Sequence, residues 1–279
     1  MKNIVILGAN GLVGGELIKS LHGKYEILRV SRTGSNGVMS FDEFIKRERF
    51  DLDAAIYLAA RIPKKTDSLL TKLALAFLDL RDFLRFMFKY GSQTKVIFFS
   101  SVSVFGESQT QIDLGTKECP DSLYGFSKLV MENILNLYAN VHIIRPSSIF
   151  GDKMKRNTFL PYILDSIKKH SVINLFGQGL RKQNYVSVKI FGTLVSALLA
   201  GTEKRTLIYS LGEQEHSNLE VAELIVQKNG QGSIQLKGED LAPSRNYTFA
   251  IKKSLGFCST ENDFEGFIIS QLRDGNQSH

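Results

Sequence analysis

Cysteine is scarce in this chain of 279 residues, with only Cys119 and Cys258. Two such residues make neither a disulfide framework nor a metal site, and a reducing cytoplasm suits them. No run of about 18 apolar residues occurs, which argues against a membrane span. A signal-peptide pattern is also missing: Met1, Lys2 and Asn3 lead straight into an apolar run, so a cytoplasmic protein is expected. There is no internal repeat and no low-complexity linker, so a second domain should be assembled from insertions and not appended after a flexible hinge. Nor is there a basic stripe interleaved with aromatics. The formal net charge of +7 is spread over scattered pairs, namely Lys64-Lys65, Lys168-Lys169, Arg181-Lys182 and Lys252-Lys253. That argues against a nucleic-acid groove, while a modest positive field suits a small anionic ligand such as a nucleotide diphosphate.

What is present alternates. Short apolar runs at 3–7, 26–30, 54–59, 95–100, 141–145 and 206–211 read as strands. Helical patterns at 12–21, 68–89, 123–138, 158–169, 188–200 and 218–228 fall between and after them. This order predicts βαβ units and an α/β fold: a Rossmann-type, doubly wound parallel sheet with a smaller C-terminal substrate-binding region. Ligands of such sheets bind at the carboxyl ends of the strands. The helix 68–89 is apolar around most of its circumference, so a second face needs cover. Either other elements of the chain pack over it, or it forms the interface of a homodimer.

Three segments carry chemistry. "ILGANGLVGGEL" (6–17) places Gly8, Gly11 and Gly14 between the first strand and first helix. Such a turn lets a pyrophosphate approach the backbone at a helix N-terminus, and it lets helix and strand pack closely. The second strand ends in Ser31-Arg32, with no acid until Asp42. An NAD-binding unit carries an acid roughly 20 residues past the glycines. An arginine and a hydroxyl fit a 2′-phosphate instead, so NADP(H) is expected, with NAD(H) the second choice. The other reading of Arg32 is a solvent-facing loop residue. Finally, "FFSSVSVFG" (98–106) ends a strand in serines, and "YGFSKLVME" (124–132) sets Tyr124 four residues before Lys128 on one helix face. A neighbouring cation would favour the phenolate and lower the tyrosine pKa toward the useful range.

With these segments, "AAIYLAAR" (54–61), "IIRPSSIFG" (143–151), "NYVSV" (184–188), "YSLGEQEHSNLEVAELI" (209–225) and "FAIKKSLGF" (249–257), the chain resembles an extended short-chain dehydrogenase/reductase of the nucleotide-sugar epimerase/dehydratase family. The resemblance implies a catalytic set of Ser101, Tyr124 and Lys128. It places Gly8, Asn10, Gly11, Leu12, Val13, Gly14, Ser31, Arg32, Phe41, Asp42, Leu58, Ala59, Ala60, Ser100, Pro146 and Ser147 beside the cofactor, with Tyr124 and Lys128. Ser101, Ser103, Ser148, Thr158 and Arg181 fall at substrate positions, and no metal is implied. Several positions depart from the pattern. Ser148 stands where many members have asparagine, and Gln183 stands where an arginine often grips the nucleotide diphosphate, leaving Arg181 or Lys182 to substitute. Lys189 replaces a usual aspartate, and Ala76 a frequent asparagine.

The same resemblance implies the reaction type. The family's dehydratases carry Asp-Glu after the catalytic hydroxyl residue; here Val102-Ser103 follows Ser101. Members that epimerise C3 and C5 use a cysteine and a histidine, which align with Ser103 and Thr158. What remains is chemistry at C4: NADPH-dependent reduction of the C4 ketone of a nucleotide-linked deoxy-sugar, in surface-polysaccharide sugar biosynthesis. The alternatives are a 4-epimerase with retained NAD and a non-catalytic NADP-binding regulatory protein. The expected partner is a nucleotide-diphosphate sugar. The dinucleotide-binding domain is expected over 1–151 and 183–211, the substrate region over 152–182 and 212–279.

Overall fold

A computed structural model describes residues 1–64, 66–106, 111–156, 158–240, 248–249 and 263–273. Lys65, Lys252, Lys253, Cys258 and the stretch 250–257 lie outside the described residues. In chain order the elements begin β1 (Lys2–Leu7), α1 (Leu12–Leu21), β2 (Tyr25–Ser31), β3 (Met39–Ser40), α2 (Phe41–Lys46), β4 (Ala54–Tyr57), α3 (Leu69–Tyr90) and β5 (Lys95–Phe99). They continue with β6 (Gln111–Ile112), α4 (Leu123–Leu135), β7 (Val141–Pro146), β8 (Ser148–Phe150), α5 (Phe159–His170), β9 (Val172–Phe176) and β10 (Lys182–Ser187). The remainder are α6 (Ile190–Ala200), β11 (Arg205–Ser210), β12 (Glu215–Ser217), α7 (Asn218–Asn229), β13 (Ser233–Lys237), β14 (Thr248–Phe249) and α8 (Phe264–Arg273). All six expected strands and all six expected helices are present, with ends shifted by a few residues.

The chain divides into two compact units, the first comprising Met1–Gly106, Gly115–Pro146 and Phe191–Ser210. Its core is a seven-stranded sheet in the order β11-β7-β5-β4-β1-β2-β3, and every pair in it is parallel. The chain starts at β1 inside the sheet, winds outward to β3, then returns to β4 on the other side of β1. This reversal is the switch point where an α/β sheet opens a crevice beyond its strand ends. Leu7 is level with Val30 on β2 and Tyr57 on β4, so the three strands end together there. Helices cover the sheet, so β4 and β7 are buried along their whole length, and β1 from Ile4 onward. That is why β1 and β4 read as continuous apolar runs, whereas β7 interrupts its own with the buried His142 and Arg145. An aromatic cluster fills the space between sheet and helices, with the Tyr57 ring edge-on to Phe83 at 5.2 Å and Phe86 stacked on Tyr90 at 5.7 Å.

Helix α3 divides along its length. Phe83, Phe86, Met87 and Tyr90 are buried in that core, whereas Leu69, Leu70, Leu73 and Phe77 in its first half are exposed. No helix among the described residues is long and apolar enough to cross a membrane.

The second unit comprises Glu107–Leu114, Ser147–Ile190 and Leu211–His279. It holds a three-stranded sheet in the order β12-β10-β8, and β9 pairs with β13. Its apolar core is drawn from α5, α7 and α8, with Ile163, Ile167, Val221, Ile225 and Ile268 among its members. Segments 147–151 and 183–190 were expected in the dinucleotide-binding part, but both belong here. The reason is strand pairing: β8 is bonded to β10 in register Tyr185↔Ser148 and Ser187↔Phe150, away from the seven-stranded sheet.

Candidate active site

The glycines differ in what they permit. Gly8 has φ +102°, and a Cβ there would stand 3.0 Å from Leu58 Cβ and 3.1 Å from the Ala59 nitrogen. Only glycine turns the chain at that angle against the end of β4. At Gly14 a Cβ would sit 2.3 Å from the Gly8 carbonyl oxygen, so the residue lets α1 lie directly on the turn. At Gly11 a Cβ would meet only that same oxygen, at 3.2 Å. Gly11 is the N-cap of α1, and the first intrahelical bond runs from Gly15 N–H to its carbonyl at 2.9 Å. The amides of Leu12, Val13 and Gly14 therefore precede the helical ladder, the arrangement that receives phosphate oxygens. Asn10 ties the turn to the end of β2 by donating to Ser31 Oγ at 3.2 Å. Ser31 is buried and Arg32 exposed.

Phe41 lies in the core, with the Arg85 guanidinium 5.6 Å above its ring. Asp42 accepts from Arg85 at 2.7 Å, and this bond holds its carboxyl below the usual carboxylate range. Leu58, Ala59 and Ala60 continue from β4 as half-buried residues beside the glycine turn. At the end of β5, the buried Ser100 Oγ has no partner among the described residues. An orphaned hydroxyl, a glycine cradle and free helix amides at one sheet edge fit a dinucleotide.

The residues expected to react lie on β5's extension and on α4. Ser101 Oγ caps a short 3-10 turn, Val102–Val104, by accepting from Ser103 N–H at 3.1 Å. It also hydrogen-bonds Ser103 Oγ at 3.1 Å and the Tyr124 side chain. Ser122 caps α4 by accepting from Gly125 N–H at 3.1 Å. A Cβ at Gly125 would stand 2.0 Å from the Ser103 carbonyl oxygen. Glycine at this position is what brings the start of α4 against the serine turn. Lys128 is buried; its ammonium donates to the Phe99 carbonyl at 2.8 Å, and lies 4.7 Å from the Phe98 ring centre and 5.9 Å from that of Tyr124.

The expected lowering of the Tyr124 pKa by Lys128 is not what this geometry produces. Burial pushes the Tyr124 phenol up to about 12, and only the Ser101 hydrogen bond pulls it back. Burial also draws Lys128 down to about 8, against the opposing pull of Asp79 and Glu132. Desolvation wins because both charged forms are being taken out of water.

Three features of this region were not anticipated. Glu132, four residues beyond Lys128, receives a bidentate pair from Arg145, at 3.1 and 2.6 Å. Arg145 also donates to Tyr209 at 2.9 Å and Glu118 at 2.7 Å. Arg61 bridges Asp79 and Asp82 of α3. The Tyr124–Lys128–Glu132 spacing carried the signal for the first, since i, i+4 steps keep all three on one helix face. The third, Gly125, was readable only as an unexplained glycine near a helix start.

In the second unit, polar side chains meet each other. Ser147 Oγ donates to Asn184 Oδ1 at 2.8 Å, and Asn184 also accepts from Gly212 N–H at 2.6 Å. Ser148 Oγ donates to Gln183 Oε1 at 3.1 Å, and Gln183 in turn donates to Asn218 at 3.3 Å. Thr158 Oγ1 donates to the Lys155 carbonyl at 2.8 Å, before α5. Arg181 Nη2 contacts both Asp240 oxygens at 2.7 and 2.9 Å, while its buried Nε has no partner among the described residues. Pro146 ends β7 in the first unit. The described residues hold no cluster of three or more His, Cys, Asp or Glu able to bind a metal.

Known proteins share this framework. A solved structure described as MoeE5 in complex with UDP-glucose and NAD superposes with a TM-score of 0.81 at 15% identity, covering 99% of each chain. RMD from Pseudomonas aeruginosa complexed with NADPH does so with a TM-score of 0.77 at 18% identity, covering 98% of this chain and 99% of that one. Among curated sequences, the Escherichia coli O157:H7 N-acetyl-alpha-D-glucosaminyl-diphospho-ditrans,octacis-undecaprenol 4-epimerase is 25% identical over 172 residues, covering 56% of this chain and 52% of that protein. The chain spans about half the length of the curated relatives it matches. The family model described as the NAD dependent epimerase/dehydratase family matches residues 4–212, which takes in the glycine turn, Ser101, Tyr124 and Lys128. The chain belongs to the NAD-dependent epimerase/dehydratase family.

Proposed function

We propose that the protein reduces the C4 ketone of a nucleotide-linked deoxy-sugar with NADPH. One observation carries this reading: Gly125 brings the start of α4 against the serine turn, so Tyr124 and the buried Lys128 stand together beside Ser101 at the end of β5. Ketone reduction needs a proton donor at the outset, whereas alcohol oxidation needs a phenolate. The bound nicotinamide supplies the hydride. Tyr124 then gives its proton to the developing alkoxide. Ser101 hydrogen-bonds the same oxygen, and Lys128 holds the cofactor ribose and adds positive charge where negative charge grows. The amides of Leu12, Val13 and Gly14 receive the pyrophosphate, and Ser100 offers a hydroxyl at the same sheet edge. The exposed Arg32 guanidinium and Ser31 favour the 2′-phosphate of NADP(H). The Nε of Arg181, without a partner among the described residues, supports a role in gripping the substrate diphosphate.

Ser103 and Thr158 do not supply the acid–base pair that ring epimerisation requires. Both hydroxyls are engaged locally, and their pKa lies far above neutrality without an activating base. The exposed stripe Leu69, Leu70, Leu73 and Phe77 supports pairing of two copies through α3. Sedimentation as a dimer at micromolar concentration, lost on placing charges in that stripe, is the matching result.

A second reading is favoured by the curated relative that is itself a 4-epimerase. Incubation with NADPH and a set of nucleotide-4-ketosugars separates the two. Net loss of NADPH absorbance with a C4 alcohol as product supports reduction. Tightly retained NAD, with C4 epimers interconverting and no net NADPH loss, supports the epimerase.

A further inference from the structure

Asp79 and Asp82 are buried carboxylates, 6% and 7% exposed, on one face of α3. Two acids at i, i+3 repel, and buried charges are costly unless paired. Arg61 pairs both: its Nη1 donates to Asp79 Oδ1 at 2.6 Å and its Nη2 to Asp82 Oδ2 at 2.7 Å. Its backbone N–H also donates to Asp79 Oδ2, at 2.7 Å. Asp82 has further cations beside it, Arg81 at 2.7 Å and Arg85 at 3.7 Å.

The two acids differ in what they reach. Arg61 closes the segment Leu58–Ala60, which lies against Gly8, so the bond from Asp79 to the Arg61 backbone fixes that strand end beside the glycine turn. Helix α3 packs on α4. Both acids act on Tyr57 and Arg61, but of the two it is Asp79 whose charge also acts across this contact on Tyr124 and Lys128. Lys128 is faced by Asp79 from α3, by Glu132 and Tyr124 from its own helix, and by the Phe99 carbonyl and Phe98 ring from β5. Glu132 is itself committed to Arg145.

We infer that Asp79 is a positioning residue with two tasks. Through Arg61 it holds the Leu58–Ala60 strand end beside the glycine turn, and its negative charge keeps the buried Lys128 cationic next to Tyr124. The catalytic meaning of the second task rests on the reductase reading, but its test uses no substrate.

The test is an NMR titration of protein labelled with 13C-lysine, with the Lys128 signal assigned by its loss in Lys128→Met. In Asp79→Asn the Lys128 midpoint, already drawn below the usual lysine range by burial, moves down further by on the order of one pH unit. Asp82→Asn breaks an Arg61 bond of similar length and leaves the midpoint in place. The double variant Arg61→Met/Asp79→Met removes the pair together, which cores tolerate well. It lowers the midpoint as Asp79→Asn does, and carries the test should that single variant fail to fold. Hydrogen exchange at amide 61 quickens in the double variant and stays slow in Asp82→Asn. A midpoint that stays fixed without Asp79, or falls equally in Asp82→Asn, overturns the electrostatic task. Unchanged exchange at amide 61 overturns the clamp. Failure of the reductase reading leaves both measurements interpretable.

Discussion

The two units bury polar groups by different means. The first commits full charges: Arg145 to Glu132, Arg61 to Asp79 and Asp82, and Lys128 beneath Tyr124. The second relies on neutral partners, with Asn184, Gln183, Asn218, Ser147 and Ser148 bonded among themselves. Its Arg181–Asp240 pair remains partly in contact with solvent. Charge-assisted bonds in a dry setting are strong and directional, and removing one partner strands the other. Neutral networks are cheaper to lose and adjust more readily. The difference teaches that helix α4, which carries Tyr124 and Lys128, is held by charge-assisted bonds, while the second unit is held by a neutral network that tolerates change more readily.

Breaking the buried charges should therefore hurt most. Glu132→Gln puts an uncharged amide in place of the bidentate partner of the Arg145 guanidinium, 3% exposed, and leaves it, among the described residues, only the one-third-exposed Glu118 carboxylate. We expect a loss of about 3 kcal/mol or more in urea unfolding. A loss below ~1 kcal/mol would erase the contrast between the units.

Tyr124→Phe comes next. It removes the proton donor and keeps the ring, so turnover should fall about 100-fold, near 2.7 kcal/mol of barrier, with cofactor affinity retained. Near-normal turnover would take Tyr124 out of its role.

Two neighbouring glycines sharpen the structural side. Gly14→Ala forces a methyl to 2.3 Å from the Gly8 carbonyl oxygen, and should cost about 1–3 kcal/mol. Gly15→Ala meets nothing within 4 Å and should gain several tenths of a kcal/mol from helix propensity alone. Thermal melts of the pair, opposite in sign, check the packing of α1 on the turn.

The smallest effect belongs to the second unit. Asp240→Asn breaks an ion pair whose side chains are 19% and 31% exposed, so about 1 kcal/mol or less is expected. A cost matching that of Glu132→Gln would show that both units depend on charge alike.

The same contrast explains what could be read from the chain alone. Strands β1, β4 and β5 lie under helices on both faces, so their residues form unbroken apolar runs that stand out. In the second unit β9 alternates buried and partly exposed residues, and β13 is mostly exposed, so neither carries such a run. The active-site motifs are local: Gly8 to Gly14 and Tyr124 to Lys128 each span two helical turns or fewer. The partners that hold them are distant, as with Arg61 and Asp79 or Ser147 and Asn184, and single-sequence spacing gives no sign of such pairs. The pKa of Tyr124 was misread for a related reason. The i, i+4 lysine was visible in the sequence, but the burial that outweighs it depends on α3 and β5.

The account stands most directly on which carbon reacts. In deuterated water with NADPH and a nucleotide-4-ketosugar, the protein should give C4 reduction with no deuterium at C3 or C5 beyond a no-enzyme control. Ser103 and Thr158 carry hydroxyls in place of an acid–base pair able to exchange those protons. Deuterium at either carbon, or inverted configuration there, in the NMR spectrum of the product would contradict the reductase assignment.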